Sequence, residues 1–106
     1  TMMGYPPAEN LLAVFISSAD EALLETGCRY LKEYMIKAKK DIEASVIGPA
    51  SPGVDKIKDI YRRVVYVKAP EYRTLVVLKD RMEQYIEINS GFQKMRIQFD
   101  FNPMNL

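Results

Sequence analysis

A chain of 106 residues, 48% hydrophobic and 27% charged, has the makeup of one globular domain with one core and is too short for two. Its 15 Lys and Arg against 14 Asp and Glu leave a net charge of +1, so any affinity for nucleic acid or membrane has to come from local clustering. A single cysteine, Cys28, and the absence of histidine exclude an internal disulfide framework, a cysteine-based zinc site and every nucleophile paired with histidine, and a reducing cytosol fits best.

Thr1-Met2-Met3 is a ragged start that hints at a fragment of a longer protein. Tyr5-Pro6-Pro7 resists helix beyond a first turn, because each proline fixes its own φ and pushes the preceding residue toward extended geometry. Residues 1–10 therefore read as an entry linker and 11–106 as the domain. Residues 11–18 form an almost wholly apolar run with β-branched and aromatic members, which predicts a central strand buried on both faces or nearly so. Such runs fall far short of the roughly 18 to 20 residues a membrane span needs.

A long helix is predicted next. Ser18-Ala19-Asp20-Glu21 offers capping side chains and early acids, and Leu24, Cys28, Leu31, Met35 and Ala38 recur at intervals of three and four. Glu21, Glu25, Arg29, Lys32 and Glu33 lie on its other side. Lys37, Lys39 and Lys40 complement the negative end of the helix dipole, which makes a solvated terminus the simpler reading than a phosphate patch.

Residues 42–47 read as a short strand stopped by Gly48-Pro49, with Ser51-Pro52-Gly53 as turn chemistry in a long hairpin loop. From Ile60 the period becomes two, with Arg62, Val64, Tyr66 and Lys68 on one face and Arg63, Val65 and Val67 on the other. Pro70 suits the first position of a second helix, whose buried stripe is Leu75, Leu78, Met82 and Tyr85 or Ile86. Asn89-Ser90-Gly91 ends that helix, with Gly91 expected in a left-handed position. The last strand alternates Met95, Ile97, Phe99 and Phe101 against Lys94, Arg96, Gln98 and Asp100.

The order β-α-β-β-α-β, with right-handed crossovers, leaves a ferredoxin-like α+β sandwich as the simplest solution. A four-stranded antiparallel sheet then carries two helices on one face, with the first and third strands in the middle.

Several landmarks give the chain a likeness. They are Tyr5-Pro6-Pro7, Asp20-Glu21, Gly48-Pro49-Ala50 with Pro52, Lys56-Ile57 followed by Tyr61-Arg62, Lys68 with Pro70, and Asp100 with Pro103. In their order and spacing the chain resembles the C-terminal domain of primosomal protein N′, the bacterial replication-restart helicase family PriA. It departs at Asn102, where the family pattern has an acid before the final proline, and at Ala8, where the family favours an aromatic.

The resemblance implies a fold similar to ribosomal S10-like domains and a role in binding branched DNA. It also implies a longer parent that unwinds DNA 3′-to-5′ with ATP, magnesium and zinc, and reloads the replicative helicase at stalled forks and D-loops in the cytoplasm. The expected partners are forked or single-stranded DNA, the helicase's remaining domains, single-stranded DNA-binding protein and other primosome proteins. The parent's P-loop, Walker B acid and zinc cysteines are not in this chain, so neither enzymatic activity nor a cofactor is expected of it.

A DNA reading also has a basis in the residues themselves. Lys56, Lys58, Arg62, Arg63 and Lys68 are concentrated in one stretch with Tyr61 and Tyr66 interleaved, and if the even-numbered residues face outward, Arg62, Tyr66 and Lys68 join Lys94 and Arg96 on one open face. Cations displace counterions from phosphate, and a tyrosine face stacks on any unpaired base. The competing readings are that the tyrosines pack inward while the arginines pair with Asp55, Asp59 or Glu71, and that the domain is a protein-docking module with Arg73 and Lys79 as candidates.

Overall fold

The computed structural model describes residues 9–53 and 56–103. Its elements are β1 (Asn10–Ser18), α1 (Glu21–Lys39), β2 (Ser45–Ala50), β3 (Lys56–Ile57), β4 (Ile60–Ala69), α2 (Tyr72–Ile88), a 3-10 turn over Ser90–Phe92, and β5 (Arg96–Phe101). The strands pair antiparallel in the order β2-β4-β1-β5, with β3 hydrogen-bonded to the start of β4. This is the ferredoxin-like arrangement, with β1 and β4 central. The expected linker falls, up to residue 8, outside the described residues, and Asn10 already pairs with Ala69.

Both helices lie on one face of the sheet. Leu12, Val14 and Ile16 of β1 and Val65, Val67 and Ala69 of β4 meet Leu24, Cys28, Leu31 and Met35 of α1 and Leu75, Leu78 and Met82 of α2 in one core. Ile97, Phe99 and Phe101 of β5 pack at its margin. Burying side chains of this size contributes about 1.5–3 kcal/mol each, so this single layer dominates the stability. Asp20 caps α1, its carboxylate accepting from the Leu23 N–H at 3.0 Å.

Four local expectations give way. The strand predicted over residues 42–47 instead spans Ser45–Ala50 and runs through Gly48-Pro49, a cis peptide, with its register shifting between Ile47 and Ala50. Proline is tolerated because β2 is an edge strand, where a missing N–H removes no ladder bond. Gly48 has φ of 109°, and a Cβ there would stand 2.9 Å from the Val64 carbonyl oxygen. The Lys32 ammonium donates to the Gly48 carbonyl, tying α1 to this bulge.

The sheet also has five strands among the described residues rather than four. Lys58 and Asp59, at φ of 50° and 66°, form a two-residue hairpin turn where a loop was expected. The turn lacks the usual Asn-Gly signature, which hid it.

The second helix starts at Tyr72, because Glu71 is the extended N-cap and the Pro70 carbonyl accepts from the Asn10 side chain at 3.1 Å. Gly91 sits in the 3-10 turn and not in a left-handed position. Asn89 takes over the capping, its amide donating to the Tyr85 carbonyl at 2.7 Å and its backbone N–H to Ile86 at 3.3 Å.

Candidate nucleic-acid interface

The antiparallel register fixes what the second face of the sheet presents, since directly opposed residues share a face. Arg62 of β4, Ser17 of β1 and Arg96 of β5 make one cross-strand row. The next row is Ala50, Val64, Phe15 and Gln98, followed by Ile47, Tyr66, Ala13 and Asp100. Ser45, Lys68 and Leu11 make the last.

This open face is therefore apolar in the middle and cationic at its ends. Val64 is 1% exposed and Ala13 fully buried although no helix covers them. Each stands opposite an aromatic residue, Phe15 and Tyr66 respectively. Two interstrand spacings, about 9.5 Å, separate the Arg62 and Arg96 backbones. Between them the sheet dips into a depression of about 360 Å³, lined by Phe15, Ser17, Arg62, Arg96, Gln98 and Asp100 of this face and bordered also by Ile16, Arg63 and Phe99, which the register assigns to the helix side.

The cationic and aromatic residues singled out in the sequence divide into three groups. Arg62, Tyr66, Lys68 and Arg96 lie on the open face, with Lys68 about 20 Å along β4 from Arg62 at the strand rise. Lys56 and Lys58 belong to the β3 hairpin, where Lys56 reaches Asp59 at 3.6 Å and covers the Tyr61 ring at 5.0 Å.

Tyr61 and Arg63 face the helices. Tyr61 packs against the core, and Arg63 reaches Glu21 and Glu25 of α1 at 3.2 Å each while also donating to the Arg62 carbonyl at 2.8 Å. The strand's alternation sends these odd-numbered residues to the opposite side, so the structure separates both from the open-face cations. Arg63 does pair with acids, but with those of α1 rather than Asp59 or Glu71.

Sequence reasoning placed Gln98 and Asp100 on the outward face of the last strand without making them site candidates, and passed over Phe15 and Ser17. The available signal was phase: once β1 is a central strand under one helical layer, its odd-numbered residues face the uncovered side.

The helix side has an apolar feature of its own. A groove of about 260 Å³ runs between the α1 start and the α2 end, lined by Leu23, Gly27, Tyr30, Tyr85, Phe92 and Met95 among others. Tyr34 and Tyr85 stack beside it with centroids 4.2 Å apart, while Tyr30 is 49% and Ile88 80% exposed. Of the docking candidates, Lys79 is engaged with Glu83 at 3.2 Å and lies over the Phe99 ring, whereas Arg73 is exposed.

An antiparallel sheet with two helices on one face and cations framing the other defines an α+β domain of the ferredoxin-like type. Solved structures agree. A de novo designed protein, Foldit4, superposes with a TM-score of 0.67 at 11% identity, covering 92% of this chain and 99% of that one. A dimeric ferredoxin-like protein from an uncultured marine organism gives 0.57 at 7% identity over 92% and 96%. A putative amidohydrolase/peptidase from Burkholderia cenocepacia gives 0.53 at 8% identity, this chain matching 27% of that one's length. At such identities the likeness is one of fold alone.

No curated protein matches the chain significantly. The family of the primosomal protein N C-terminal domain does, over residues 1–104, and the chain belongs to it. Membership implies a primosomal, replication-restart role. No described helix is long and apolar enough to cross a membrane.

Proposed function

We propose that the chain is a DNA-binding accessory domain of a bacterial cytoplasmic replication-restart helicase, meeting forked or single-stranded DNA with the open face of its sheet. The observation that carries this reading is the row Arg62, Ser17, Arg96, which presents two guanidiniums across one small polar residue beside a depression. Guanidinium is the side chain best matched to phosphate oxygens, and the neighbouring ring of Phe15 supplies a surface for a base. The open-face rows carry three cations, Arg62, Lys68 and Arg96, against one carboxylate, Asp100, so the local balance favours a polyanion although the whole chain is nearly neutral.

Forked DNA titrated over a range of salt concentrations tests the reading. Replacing Arg62→Glu together with Arg96→Glu is expected to weaken binding and to lower the slope of log affinity against log salt by about two. Equal affinity and equal slope in wild type and variant would show that this face is not the DNA site.

A second reading, docking on the helicase body or on the tail of single-stranded DNA-binding protein, draws support from the helix-side groove with exposed Tyr30 and Ile88. An apolar groove of this kind fits a protein segment better than a nucleic acid. The two readings use opposite faces of the domain, so one molecule can serve both.

A further inference from the structure

The depression between Arg62 and Arg96 has more in it than cations. Phe15 lies two residues from Ser17 on the same strand, about 7 Å away at the strand rise, and is half-buried with its outward side on the depression. Gln98 stands directly opposite Phe15, and Asp100 is the next outward residue of β5. Two guanidiniums, an aromatic surface, an amide and a carboxylate thus follow one another down a single hollow.

We propose that this hollow is a subsite for one unpaired nucleotide of a single strand, with its phosphate between Arg62 and Arg96, its base on Phe15, and its base edge read by Gln98 and Asp100. The inference rests on the reading of the open face as the DNA site and narrows it to a ligand class. In a duplex both faces of a base are covered by its neighbours, so Phe15 gains nothing from paired DNA; only an unstacked base offers it a π-face. A hollow of about 360 Å³ lies at the lower end of the size range of small-molecule sites and suits one nucleotide, not a length of double helix.

Asp100 sets the preference among bases. An ionised carboxylate only accepts hydrogen bonds, so it favours an edge with an exocyclic amine, such as the N4 amine of cytosine, and meets the carbonyl-rich edge of thymine with repulsion. Gln98 both donates and accepts, and so tolerates either. The same carboxylate opposes an acidic peptide entering the hollow.

Fluorescence anisotropy at low salt, with labelled oligo-dC, labelled oligo-dT and a blunt duplex as probes, tests the proposal. Phe15→Leu keeps an apolar side chain of similar volume; it is expected to weaken oligo-dC binding about tenfold, with duplex binding changed by less than about twofold. Asp100→Asn, at an exposed position, is expected to erase the preference for oligo-dC over oligo-dT while the protein stays folded by circular dichroism. If Phe15→Leu weakens single strand and duplex alike, or neither, or if wild type binds oligo-dT as well as oligo-dC, the nucleotide subsite is wrong. Loss of binding to every probe in Arg62→Glu/Arg96→Glu alongside such a result would leave the broader DNA reading standing. Unchanged binding in that variant would remove both.

Discussion

The two faces of this sheet are cut from the same strands and differ in what covers them. On the helix side Leu12, Val14, Ile16, Val65 and Val67 interlock with two helices and are at most 2% exposed. Its one arginine, Arg63, has a side chain only 12% exposed and is held by two carboxylates. On the open side the buried residues are small, Ala13 and Val64, and pair across the strands with Tyr66 and Phe15, while the arginines stand at the end of the sheet beside a hollow. One face stabilises the domain and the other displays it. Adjacent residues of one strand therefore meet different surroundings, and a single-residue slip of register would exchange them.

The largest expected contrast is in packing. Leu78→Ala, at a fully buried position of α2, is expected to cost about 2–5 kcal/mol, because the core is closed on every side and collapses poorly around a void. Phe15→Leu on the open face is expected to cost less than about 1.5 kcal/mol, since it is half-buried and the replacement nearly conserves volume. Urea unfolding of both variants measures the difference; equal losses would mean that the open face is as tightly packed as the helix face.

A smaller effect probes how dry the helix side is. Burial pushes the Cys28 thiol up from 9.0 to about 11, with the Glu25 charge adding to the rise and Arg63 opposing it. An acid whose ionisation is postponed in the folded state contributes its stability in full below the unfolded value and loses it as pH climbs through the folded one. Between about pH 9 and 11 the wild type is thus expected to lose stability, on the order of 2–3 kcal/mol at most, that Cys28→Ala does not lose. Denaturant midpoints of the two proteins across that window should converge; parallel curves would show that water reaches the thiol.

The helix face was legible in the sequence because its signal is periodic. Leu24, Cys28, Leu31 and Met35 on α1 and Leu75, Leu78 and Met82 on α2 are the buried stripes that their spacing predicts, and the alternation of β4 and β5 assigns their faces correctly. The open face was half legible. Alternation placed Arg62, Tyr66 and Lys68 together, but nothing local to β1 says that Phe15 belongs beside them, since that depends on which strands pair with β1 and in what register.

The hairpin at Lys58-Asp59 and the passage of β2 through Gly48-Pro49 were hidden for a related reason. Both use residues whose local preference points to a loop, and the pairing with β4 overrides it. Asn102, where the resemblance led to the expectation of an acid, also gains meaning only in three dimensions. At φ of 45° its side-chain oxygen accepts from the Leu11 N–H at 2.8 Å and its amide donates to Asn10 at 3.2 Å, a pair of roles an ionised acid cannot fill.

The finest test of the two faces separates the neighbouring arginines. Arg63→Met keeps the apolar stem but removes two contacts to carboxylates that are about half exposed, together with the bond to the Arg62 carbonyl. Partly exposed ion pairs are worth about 0–1 kcal/mol each and the hydrogen bond about 1, so the expected loss of stability is about 1–3 kcal/mol. The salt slope of DNA binding should not change, because the guanidinium is neutralised by α1 and faces away from the site. Arg62→Met should do the reverse in binding, lowering the slope by about one as a single phosphate contact disappears. Glu21→Gln with Glu25→Gln should reproduce only the ion-pair part of that loss, since the bond to the Arg62 carbonyl remains, and should leave the DNA binding proposed for the open face unchanged. If Arg63→Met flattens the salt dependence more than Arg62→Met does, the phosphate contact lies on the helix side, and the division of labour between the faces is inverted.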